Sequence, residues 1–147
     1  MLSFKQFVIE SGDSHYSYTK TSTNGKNHSY EFADDAGRKK TVSIVHSDSG
    51  NTADVAFHDN DKENTNASQK YGSTGEHGHK ATKIFSTLKH ILKKHKSENP
   101  NISAFAFDSN KKDPSRVKLY TRMTAKMGGA SEEGPVFHHH MIPTTHL

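Results

Sequence analysis

With 147 residues the chain holds one domain's worth of material, and two full domains are excluded at this length because domains cluster near about 100–150 residues. Zero cysteines rule out disulfides, thiol catalysis and thiolate zinc sites, and no window approaches the roughly 18 consecutive apolar residues of a membrane span. Twenty Lys and Arg against 16 acidic residues leave a net charge of +4, while a hydrophobic content of 30% confines the core to a few short runs; this balance permits contact with nucleic acid or another anion without requiring it.

In chain order, residues 1–10 set Leu2, Phe4, Phe7, Val8 and Ile9 near helical spacing. Residues 1–13 therefore read as a short amphipathic helix or a detachable targeting segment, and residues 14–147 as the domain. Asn24-Gly25 is a strong hairpin signal, predicting strands over 14–23 and 27–33 with Tyr30 and Phe32 on one face. Residues 40–46 (KTVSIVH) and 52–59 (TADVAFHD) alternate as strands, and the short turns between them imply an antiparallel meander. Residues 60–78 are polar and almost free of aliphatics, which predicts a loop.

The clearest periodicity follows: Ala81, Ile84, Phe85, Leu88, Ile91, Leu92 and His95 step by three or four, predicting a helix over 79–96 that Pro100 stops. Residues 102–107 (ISAFAF) read as a strand buried on both faces, and a strand directly after a crossover helix suggests a parallel βαβ unit. Asp113-Pro114 supplies an N-cap and a first-turn proline. The second helix carries Val117, Tyr120, Met123 and Met127 on one stripe and ends at Gly128-Gly129. Residues 135–142 (PVFHHHMI) form a last β-rich run.

This order, with the segment SNKKDPSRVKLYTRMTAKMGG, resembles the GNAT (GCN5-related N-acetyltransferase) superfamily. The implied fold is α/β: an antiparallel meander, then a βαβ unit with splayed parallel strands, then a C-terminal helix and strand. The resemblance implies acetyl-CoA as cofactor and an amine-bearing small molecule or protein as acceptor. It gives the general-acid role to Tyr120 in LYTRM and a cofactor contact to Asn110, and it sets the pyrophosphate at Gly75, Gly78, His79 and Lys80, where backbone N–H groups open a helix. The loop departs from the family's pattern: neither Gly75 nor Gly78 as the anchoring glycine puts Gln or Arg three residues before it. A general base is sought in Glu76, with His58 and Asp59 as further candidates. More narrowly, KIFSTLKHILKKH followed by DPSRVKLYTRM resembles GNAT-like proteins of large tailed bacteriophages. The opening MLSFKQFVIE resembles phage head-internal proteins whose N-terminal peptide is cleaved, although Val8 departs from their Leu or Ile. That likeness implies a host-cytoplasmic or virion-packaged protein, with a non-catalytic factor binding a host or virion protein as the alternative.

Two clusters complete the reading. In His138-His139-His140, strand alternation points His138 and His140 to one face and His139 to the other; with no carboxylate beside them in sequence, they read as surface histidines without metal, the alternative being a site completed by His146 or His58. The lysines and arginines of both helices (Lys89, Lys93, Lys94 and Lys96, then Lys111 to Lys126) read as solvated faces, or as a patch for phosphate groups of CoA or nucleic acid.

Overall fold

A computed structural model describes residues 15–59 and 79–147; the expected N-terminal helix and the loop at 60–78 lie outside these. Seven strands and two helices follow in the order β1 (Tyr18–Asn24), β2 (Asn27–Ala33), β3 (Lys39–His46), β4 (Thr52–Asp59), α1 (His79–Glu98), β5 (Ala104–Asn110), α2 (Pro114–Lys126), β6 (Ala130–Glu133) and β7 (Phe137–Pro143). They build one sheet in the order β1-β2-β3-β4-β5-β7-β6.

The first four strands are the expected meander, antiparallel throughout. Gly25 adopts φ 59° at the first loop position of the β1–β2 hairpin, which is the glycine-first, two-residue turn that matches strand twist. Alternation puts Tyr30 and Phe32 of β2, Val42 and Ile44 of β3, and Ala53, Val55 and Phe57 of β4 on one buried face. Lys40, on that same face, is fully buried with its ammonium 3.4 Å from the Asp34 carboxylate.

α1 lays Ile84, Phe85, Leu88, Ile91, Leu92 and His95 on that face, all buried. It then delivers the chain to β5, parallel to β4 as the crossover reading requires. α2 starts where expected: Asp113 accepts from the Arg116 N–H, and Pro114 occupies the first turn. It ends at Gly128, whose φ of 77° suits glycine. Tyr120, Met123 and Met127 are buried.

Two expectations need correction. The strand after α1 is shifted to Ala104–Asn110, and it is not buried on both faces: Phe105, Phe107 and Ser109 point to the helices, whereas Ala106 is half-exposed and Asp108 exposed. The reason is that both helices cover one face, with His95 of α1 beside Phe105 and Tyr120 of α2 beside Phe107. The second correction is β6, an exposed strand of sequence ASEE that pairs with β7 and carries no apolar alternation to announce it.

Candidate active site

The site begins with a defect in the sheet. β4 and β5 pair only at Thr52↔Ala104, Ala53↔Phe105 and Asp54↔Ala106. Beyond these three pairs β4 stays on β3 as far as Lys40↔Asp59, while β5 follows β7 as far as Asn110↔Phe137, so the parallel strands part in a V. Backbone groups inside such a gap lose their ladder partners and must find others. The Phe57 carbonyl finds two from α2: the Arg116 guanidinium donates to it at 2.7 Å and the Tyr120 hydroxyl at 3.4 Å. Arg116 also donates to the Tyr120 oxygen at 3.2 Å.

A cavity of about 300 Å³ occupies the V, lined on the open face by Asp54, Ala56, Ala106 and Asp108 and closed from the helix side by Arg116 and Tyr120. Tyr120 is 2% exposed. Burial pushes its phenol above the ordinary tyrosine range, and the neighbouring Arg116 opposes that shift without cancelling it. At neutral pH the hydroxyl keeps its proton, the state a proton donor needs.

Strand register assembles a second group on the open face. Asp108 pairs with His139, and His139 pairs with Glu132, so the three side chains form a row across β5, β7 and β6. The His139 Nδ1 lies 2.6 Å from the Asp108 carboxylate, which accepts its N–H and orients the ring. Asp54, Ala106, Asp108, Glu132, His139 and Met141 line a cavity of about 510 Å³ that shares Asp54, Ala106 and Asp108 with the V. On the other face of β7, His140 is buried between the Ser109 and Ser131 hydroxyls, each at 2.7 Å. Burial lowers its pKa, and it sits edge-on to Tyr120 with centroids 5.8 Å apart.

The residues singled out in the sequence divide. Tyr120 stands at the V. Asn110 ends β5, with its side chain accepting from the Lys112 N–H at 2.9 Å, a turn function. Gly75, Glu76 and Gly78 lie outside the described residues; His79 and Lys80 open α1, but their side chains are also outside the description, as is that of Asp59. His58 is exposed on β4. His138 and His140 share one face and His139 takes the other, as alternation required, but His140 is buried rather than a surface histidine because that face turns toward α2, and the carboxylate missing beside the triplet in sequence arrives from β5. Neither His58 nor the triplet belongs to the group of potential metal ligands that converges among the described residues; that group is His28, His46 and His95. Lys89, Lys93 and Lys126 line a groove of about 560 Å³ between the helices, together with His15 and His90. Sequence reasoning missed the role of Arg116, which helix packing brings to the V, and the row through His139, which only strand register assembles beside it.

No protein-family model matches the sequence, and no curated protein matches it. The fold does have solved counterparts. The spermidine N-acetyltransferase of Vibrio cholerae in complex with CoA and spermine superposes with a TM-score of 0.54 at 10% identity, covering 82% of this chain and 68% of that one. A SpeG chimera built from the Vibrio cholerae spermidine enzyme and hSSAT gives 0.53 at 10% identity over 83% and 70%. The chain therefore has the GNAT fold, with the meander, splayed parallel strands and C-terminal helix and strand that the sequence implied, and one further strand, β6. No helix among the described residues is long and apolar enough to cross a membrane.

Proposed function

We propose that the protein is an acyl-CoA-dependent N-acyltransferase whose acceptor is a cationic amine. The observation that carries the reading is the V between β4 and β5 with the Tyr120 hydroxyl and Phe57 carbonyl at its inner end. Bound acyl-CoA would supply an activated thioester, and the V offers it a slot bordered by β4 backbone with a polar lining from Arg116. Tyr120, protonated and buried, would donate to the sulfur that leaves. Asp54, Asp108 and Glu132 give the open-face cavity three carboxylates, which favours an ammonium-bearing acceptor, and His139, oriented by Asp108, supplies the base that makes the amine nucleophilic. A polyamine fits this chemistry, in keeping with the spermine bound by the Vibrio cholerae counterpart.

Calorimetry with CoA and acetyl-CoA, followed by an acetylation assay on spermidine, tests the reading. The expected result is cofactor binding in the micromolar range and amine-dependent release of free CoA. Absence of binding at millimolar cofactor would sink it. A second reading, a non-catalytic factor that binds a host or virion protein, is favoured by the commitment of Asn110 to a turn and of the Phe57 carbonyl to Arg116. The resemblance of the opening residues to phage proteins supports a host-cytoplasmic or virion-packaged protein as part of this reading, and mass spectrometry of purified particles tests the virion version.

A further inference from the structure

Three histidines meet at the end of the molecule served by the C-terminus of α1. His28 enters from the start of β2, His46 from the end of β3, and His95 from the last turns of α1. One imidazole nitrogen of each lies within 4.8 Å of those of the other two. His28 and His46 stack with centroids 4.6 Å apart, and His95 stands edge-on to both at 4.8 and 4.9 Å. The His46 and His95 Nε2 atoms are 2.6 Å apart, close enough to share a single proton.

The remaining contacts fix how the cluster is protonated. His95 is fully buried, and the Asn99 side-chain amide approaches its Nε2 at 3.4 Å as a donor, so Nε2 is an acceptor and Nδ1 carries the proton, which it donates to the Tyr30 oxygen at 2.9 Å. That is the tautomer of a metal-ligating imidazole, with the far nitrogen anchored by an outer partner. Burial is the largest influence on all three rings, and it holds each pKa below the ordinary histidine value, that of His95 near 3. The Lys20 ammonium adds to this, and Glu98, on the same side, opposes it at His28. The second pointer to a ligand is His28, 8% exposed, whose Nδ1 is buried with no hydrogen-bond partner among the described residues. Leaving such a group unsatisfied costs about 1–3 kcal/mol.

We propose that His28, His46 and His95 bind a divalent transition-metal ion, zinc being the best match to three neutral imidazoles. The ion ties β2, β3 and the end of α1 together, and solvent completes its coordination on the side of half-exposed His46. Binding opens the His46–His95 separation from 2.6 Å to the roughly 3.3 Å set by two Zn–N bonds of about 2.0–2.1 Å at a tetrahedral angle, and it turns His28 out of its stack. No carboxylate ligand is needed, and the site is independent of the acyl-transfer reading, since its ligands are not among the residues lining the V.

The full-length protein, stripped with chelator, is titrated with ZnCl2 by calorimetry and with CoCl2 by visible spectroscopy, alongside His46→Ala and a His138→Ala/His139→Ala control. The expected result is one equivalent of zinc, the intense d–d bands of tetrahedral cobalt, and a rise in Tm with metal. His46→Ala is expected to weaken binding by about 100-fold or more, exceeding the 10–100-fold typical of losing an outer partner, and the control to bind as the wild type does. His46 is half-exposed, so its alanine variant folds, and an unchanged metal-free Tm verifies that. Wild-type-like zinc binding in His46→Ala, loss of binding in the control, or no zinc binding to the wild type would each overturn the proposal.

Discussion

Tyr120 packs in the core and, in the proposed reading, also serves the chemistry. Its ring packs against Phe107 and lies edge-on to His140, while its hydroxyl reaches the V. Replacing the residue with phenylalanine removes only the oxygen. If the hydroxyl is the proton donor, Tyr120→Phe lowers kcat by about 10²-fold or more, with little change in the KM for acetyl-CoA and a Tm within a few degrees of wild type. Steady-state kinetics beside a melting curve checks this, and an unchanged kcat would reduce Tyr120 to a core residue. The tyrosine was legible in the sequence because its stripe and its LYTRM context both drew attention to it. Asp108 and His139 were not, since 31 residues separate them. Their meeting depends on a β5–β7 register that no local pattern encodes. His28, His46 and His95 were hidden for the same reason: each reads singly as an ordinary strand or helix position.

At the scale of elements, periodicity carried the reading wherever one face is buried. β4 matches its expected span, Thr52–Asp59, and α1 overruns its expected end by one half-turn to Glu98. The failures fall where periodicity was mute or double-valued. In ISAFAF, small alanines alternate with phenylalanines, so both faces looked apolar although only the phenylalanines meet helices. In ASEE no large apolar residue marks a face. The join between α2 and β6 depends on Gly129, where an added Cβ would lie 2.1 Å from the Met141 carbonyl oxygen and 2.8 Å from the Thr124 methyl. Because the first of these is backbone, the clash is not relieved by a rotamer change. Gly129→Ala is expected to destabilise the protein by about 1–3 kcal/mol, read as a lower urea midpoint with unchanged m-value. An unchanged midpoint would mean that β6 is free to move away.

For the whole molecule, the buried histidines set an acid limit. His95 is neutral in the fold down to about pH 3, against an ordinary value of 6.5, and burial lowers His28, His46 and His140 as well. In the unfolded chain these rings take up protons near their ordinary value. The folded state therefore binds fewer protons than the unfolded state between about 6.5 and 3, and stability rises with pH across that window. Above it both states are neutral and this contribution is flat. Scanning fluorimetry from neutral pH down to about pH 4 is expected to show a Tm that falls steadily with acid, and less steeply in His46→Gln. A Tm indifferent to pH would contradict the neutral state of the cluster.

The three-residue ladder between β4 and β5 also divides the molecule mechanically. On one side lie β1 to β4, stitched antiparallel along nearly their full lengths; on the other, β5, β7 and β6 form a second antiparallel leaf that α2 caps. Six backbone partners, Thr52 to Asp54 and Ala104 to Ala106, form the spine of this two-leaved book. The three-pair ladder is thus the narrowest backbone connection in the sheet, and the contacts of Arg116 and Tyr120 with the Phe57 carbonyl reinforce it from the helix side. Anything that lodges in the V would act as a wedge between the two leaves and splint them into one cooperative unit.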